Sequence, residues 1–84
     1  MTLFFQSADG TLRKLSELDL SGPRDEITRS VFSCILDFCN KHRYKIPYTR
    51  CWNDELDGRP VTFIDVGSHT EFFILDPVCP YLIN

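Results

Sequence analysis

The longest periodic run of apolar residues lies at positions 23–41, PRDEITRSVFSCILDFCNK. On a helical wheel at about 100° per residue, Cys34, Ile27, Phe38, Val31, Ile35, Cys39, Phe32 and Leu36 fall in that order along one arc of roughly 200°. Glu26, Arg29, Ser30, Ser33, Asp37, Asn40 and Lys41 fill the remainder. So wide an arc exceeds a coiled-coil seam; it suits a helix lying on a sheet, with further chain over one shoulder. Ser21 or Gly22 is expected to cap the start. Pro23 suits the first turn, and Asp25 and Glu26 complement the positive helix end. Lys41, His42, Arg43 and Lys45 meet the negative end, and Pro47 forbids continuation.

On either side the pattern changes to period two. TLFFQ at 2–6 reads as a strand, and Ala8-Asp9-Gly10 as a turn. Residues 11–15 read as the returning strand, although Leu12, Leu15, Leu18 and Leu20 also fit a helical turn. After a connection at 44–48, residues 49–52 read as a strand, and Asn53-Asp54-Glu55-Leu56-Asp57-Gly58 as an acidic hairpin turn. RPVTFIDV at 59–66 is the clearest strand, with Pro60 restricting its entry. Gly67-Ser68 signals a tight turn, and HTEFFILD at 69–76 the next strand. Val61 and Phe63 share one face, and Thr62, Ile64 and Val66 the other. Phe72 and Ile74 oppose Phe73 and Leu75 in the same way. Both faces are therefore apolar, more than one helix covers. The N-terminal segment and the tail cover the second face, or a partner does. The tail at 77–84 holds two prolines and is apolar, so it is expected to dock as an irregular segment.

These elements predict an α+β fold. An antiparallel sheet of about four strands carries one long helix on one face, in the order β(β)αβββ, the last three strands forming a meander. At 84 residues the chain makes one domain, 1–84. Seven Phe, three Tyr and one Trp suffice for a core. No apolar run approaches the roughly 18 residues of a membrane span, and no secretory signal opens the chain. A cytoplasmic location is expected, with Cys34, Cys39, Cys51 and Cys79 as thiols. Nine basic and twelve acidic residues leave a net charge of −3. That balance argues against a general DNA-coating protein but leaves room for a local basic patch.

Candidate chemistry is sparse. Cys39, His42, Cys51 and Cys79 would form a tetrahedral zinc set, giving a small zinc-supported domain, but no C-x-x-C pair accompanies them. Cys34 and Cys39 stand about 140° apart on the wheel and do not share an ion easily. They read more readily as small buried residues. A Cys–His dyad with His42 or His69 lacks an adjoining oxyanion element. Asp54, Glu55 and Asp57 lack calcium-loop spacing and read as a solvated tip or an acidic contact. Lys41, Arg43, Tyr44, Lys45 and Arg50, with Tyr48, interleave cations and aromatics as a nucleic-acid contact would. Phe4-Phe5 and Phe72-Phe73 each place one ring on either sheet face.

The function expected is therefore a non-enzymatic protein-binding module. Its short, acidic, stand-alone format is that of phage- or mobile-element-type inhibitors, of the anti-defence kind, that modulate a larger nucleic-acid-handling complex. Asp54, Glu55, Asp57, Phe72 and Phe73 are the expected partner contacts. The partner is another protein or complex, a homodimer being a second way to cover the surplus apolar face. Nucleic acid is the alternative partner. No membrane, cofactor or metal is expected.

Overall fold

The computed structural model describes residues 1–19, 21–67, 71–79 and 82. Five strands and one helix follow one another as β1 (Thr2–Gln6), β2 (Leu12–Glu17), α1 (Arg24–Lys41), β3 (Arg50–Leu56), β4 (Arg59–Asp65) and β5 (Phe72–Asp76). The strands form one antiparallel sheet in the order β2-β1-β5-β4-β3. The first strand thus lies beside the last, and the two hairpins β1–β2 and β3–β4 flank β5.

The fold class agrees with expectation; the strand count is five rather than about four. The extra clarity is at β2, whose residues LRKLSE carry little apolar alternation. An exposed edge strand needs none, because its backbone bonds to β1 hold it. Met1 and Leu18 extend that pairing. The Leu18 N–H donates to the Met1 carbonyl at 2.7 Å, and the Met1 ammonium to the Leu18 carbonyl at 3.1 Å. The expected strand at 69–76 is seen from Phe72 onward; His69 and Thr70 lie outside the described residues, as do Leu20 and Ser68 and, in the tail, Pro80, Tyr81, Ile83 and Asn84.

The helix buries Ile27, Val31, Ile35 and Cys39, spaced by four. Phe32, Cys34 and Phe38 are half-buried beside this stripe, whereas Leu36, at the end of the expected arc, is 49% exposed. Neither Ser21 nor Gly22 caps the helix. Pro23 occupies the cap position and offers no side-chain acceptor. At the other end the Tyr44 N–H donates to the Cys39 carbonyl at 2.8 Å, and the Arg43 N–H to the Asn40 carbonyl at 3.3 Å. With Arg43 at φ 60°, this is a Schellman closure. It turns the chain and sets Tyr44 against Phe38, ring centroids 6.2 Å apart.

Residues opposite one another in an antiparallel pair share a face. Leu3, Leu75 and Thr62 make one inward row, and Phe5, Phe73, Ile64 and Cys51 the next. The helix rests on these rows through Phe38, whose ring lies 4.6 Å from Phe5 and 5.6 Å from Phe73. The tail completes the same side: Cys79 and Leu82 are buried in this core. Its anchor is the Cys79 N–H, which donates to the Thr62 Oγ1 at 2.8 Å. Replacing Thr62, wholly buried, with valine keeps the shape but strands that N–H. A loss of about 1–3 kcal/mol in urea unfolding is expected, together with faster labelling of the Cys79 thiol.

Candidate functional site

The opposite side of the sheet carries a second apolar surface, and no described helix or strand lies over it. Register places Lys14, Phe4, Ile74, Phe63 and Trp52 in one row across all five strands. Phe72 stands beside that row. Trp52 and Phe63 stack at 5.7 Å with planes 7° apart, and Phe72 meets both edge-on, at 5.6 Å and 6.0 Å. Edge and stacked contacts of this kind hold the rings in place beyond simple burial. Each ring keeps some exposure, while Ile74 and Val61 on the same face have none. The Arg50 guanidinium lies 5.8 Å from the Trp52 ring.

The rim of this surface is polar, and much of it is paired within the chain. Arg59 meets Asp76 at 2.8 Å, and Lys14 meets Glu17 at 3.0 Å. The Thr2 hydroxyl also donates to Glu17 at 2.7 Å. These two bonds, the hydroxyl's first, hold the Glu17 carboxyl below its ordinary pKa. Outward positions on the five strands thus combine Lys14, Arg50 and Arg59 with Glu17, Asp54, Asp65 and Asp76. The balance is near neutral and slightly acidic, around an aromatic centre.

The residues expected to contact a partner are distributed differently from the sequence reading. Asp57 (φ 53°) and Gly58 (φ 79°) form a two-residue turn with both residues left-handed, the type I′ geometry of tight hairpins. The acidic stretch is therefore not one tip. Asp54 and Glu55 belong to β3 and point to opposite faces; only Asp57 is in the turn. Phe72 joins the outer surface. Phe73 is wholly buried beneath the helix and offers no contact to a partner. Trp52 and Phe63, absent from the expected set, form the centre of the surface, and Phe4, the outward ring of the Phe4-Phe5 pair, lies in the same row. A signal for them was present. A two-residue Asp57-Gly58 turn puts Leu56 opposite Arg59 and, counting back, Trp52 opposite Phe63.

The alternative nucleic-acid set does not assemble. Tyr44 packs against the helix-side core, whereas Arg50 lies over Trp52 on the other face. Lys41, Arg43 and Lys45 are exposed around the helix end. The cysteines separate too. Among the described residues no three of His, Cys, Asp and Glu are grouped to hold a metal ion, so Cys39, His42, Cys51 and Cys79 form no zinc set. His42 instead lies 4.3 Å from Phe38, ring to ring. A groove of about 310 Å³ between β2 and α1 does bring Cys34, Asp37 and His42 to one wall. No hydrogen bond joins the three.

Burial raises the Cys39 thiol above its ordinary pKa of 9.0. It does the same for Cys51, with the neighbouring Cys79 adding to the shift. Both are protonated at neutral pH and poor nucleophiles. A raised folded pKa contributes stability that is complete below the unfolded value and is lost as pH rises beyond it. The unfolding midpoint is therefore expected to decline as pH passes about 9, and a thiol reagent at neutral pH should modify half-buried Cys34 before the three buried cysteines. Equal native rates for all four would contradict this packing.

The fold and this surface define a class: an α+β domain with one helix beneath a five-stranded antiparallel sheet and an aromatic patch on the sheet's other side. Comparison with known protein families, characterised proteins and solved structures finds no significant match to the chain.

Proposed function

We propose that this protein is a non-enzymatic protein-binding module that docks through the outer sheet face. Its role is to inhibit or adjust a larger complex that handles nucleic acid, as phage- or mobile-element-type inhibitors of the anti-defence kind do. The observation that carries the docking role is the Trp52–Phe63–Phe72 cluster, three mutually packed rings beside fully buried Ile74. Rings ordered before binding lose little freedom on contact, and aromatic anchors dominate interface energetics. The near-neutral rim supports a protein partner over nucleic acid, whose phosphates need an excess of cations. The net charge of −3 favours encounter with a basic complex. The inhibitory role rests on the acidic charge balance alone.

The test compares three baits in the native host lysate: wild type, Phe63→Lys and Arg29→Glu, the last on the exposed side of the helix. A partner captured by wild type and Arg29→Glu but lost with Phe63→Lys, then bound by the purified wild type with the same dependence, is the expected result. Capture indifferent to Phe63 removes the docking role. Inhibition is read next, as loss of the purified complex's activity on adding this chain.

A further inference from the structure

The two edges of the sheet differ. At β2 the register slips between Leu3 and Phe4, leaving Leu15 as a bulge, and Lys14 and Glu17 are tied to each other. Bulges and inward or paired charges are the usual means of blunting an edge. At β3 the pairing with β4 runs unbroken through seven residues, without bulge or proline on β3 itself. No described strand pairs with its other side.

Hairpin geometry says which backbone groups face outward there. A two-residue I′ turn makes Leu56 and Arg59 a hydrogen-bonded pair, so Asp54, Trp52 and Arg50 also bond to β4. The backbone groups of Glu55 and Asn53 then point away from the sheet. Two observations agree with this parity. Pro60, which has no N–H, stands opposite Glu55, where none is needed. The Glu55 N–H, turned outward, is taken by its neighbour's carboxylate, Asp54 Oδ1, at 2.8 Å. The exposed carboxylates of Asp54 and Glu55 sit on opposite faces of this edge, beside Trp52 at the end of the aromatic row.

We infer that β3 accepts an extended, basic segment of a partner protein as a sixth, antiparallel strand. This presupposes the protein-docking role proposed above and specifies the partner's chemistry. An antiparallel neighbour lays one residue opposite each of Glu55, Asp54, Asn53 and Trp52 in turn. The matching segment therefore reads two adjacent cations, any residue, then an apolar one. The first cation meets Glu55, the second meets Asp54 on the outer face, and the apolar side chain extends the row that ends at Trp52. The Asn53 N–H and carbonyl supply the central pair of backbone bonds. A second copy of this chain is opposed when antiparallel self-pairing is centred on Asp54, because that carboxylate then stands directly opposite its copy. Other antiparallel pairs throughout the sheet make that direction the consistent one.

The chain's single tryptophan, Trp52, reports on this edge directly. The probe is an N-acetylated, C-amidated heptapeptide, Thr-Lys-Arg-Thr-Val-Thr-Glu, titrated while tryptophan fluorescence and heat are followed. A dissociation constant on the order of 0.1–1 mM is expected, since a short free strand loses much of its interaction to ordering. Binding should weaken with added salt. A peptide with both cations replaced by glutamate should bind at least about tenfold more weakly. The same loss is expected for a peptide N-methylated at the threonine opposite Asn53, which keeps every side chain. No signal up to about 5 mM, or equal binding of the N-methylated peptide, overturns strand addition. A stable dimer in sedimentation that excludes the peptide overturns it too, assigning the edge to a second copy. Because the titration uses purified chain alone, its failure leaves the Phe63-dependent docking standing, and loss of that docking leaves the peptide result to be read separately.

Discussion

Phe73→Ala is expected to remove about 3–5 kcal/mol of stability, close to half of the roughly 8 kcal/mol typical of a chain of 84 residues. The ring is wholly buried on the central strand β5. It meets Phe5 at 5.4 Å and the helical Phe38 at 5.6 Å, both edge-on. Truncation leaves a cavity between a hydrogen-bonded sheet and a helix, and neither can collapse far into it. Guanidinium unfolding measures the loss. A cost below about 1 kcal/mol would mean that the helix does not rest on this sheet.

Phe63→Lys is expected to do the reverse, leaving the fold and abolishing docking. Phe63 stands one register pair away, opposite Ile74 on the outer face. It stacks on Trp52 and meets Phe72, so its loss costs stability about 1 kcal/mol through those ring contacts. At an interface the same change removes a central anchor and sets an ammonium against an apolar partner. A fall of at least about 100-fold in affinity, about 2.7 kcal/mol, is expected. A folded circular dichroism spectrum with a melting midpoint lowered by only about 4–8 °C, together with binding to the captured partner, separates the two effects. If Phe63→Lys unfolds the protein, the outer rings are core rather than contact surface. The contrast between two phenylalanines on adjacent strands is the sharpest consequence of the two-faced sheet.

Much of this architecture was legible in the chain. The helix followed from apolar spacing of three and four, and the faces of β4 and β5 followed from alternation, because both periods are set by local backbone geometry. Pro60, in a non-hydrogen-bonded pair with Glu55 and beyond the residues of β4 that pair with β5, sits where a proline costs no ladder bond. Other features were hidden for identifiable reasons. The acidic run 53–58 looked like a broad turn because charge masked the Asp57-Gly58 signal inside it. Reading that dipeptide as the whole turn would have extended β3 and aligned Trp52 with Phe63. The edge strand β2 was weakly marked because strands held by backbone bonds at a sheet margin need no apolar alternation.

The residue pattern alone determined one helix, the strands around it and the two-sided apolar character of β4 and β5. These are local properties, decided by side-chain period and turn chemistry within a few residues. Only the tertiary structure decided that β1 lies beside β5, that the tail's Cys79 closes onto Thr62 on the helix side, and that four aromatic rings therefore gather on the other. Pairing between segments about seventy residues apart in the chain depends on which long-range contacts together offset the entropy of closing so long a loop. No local period encodes that outcome.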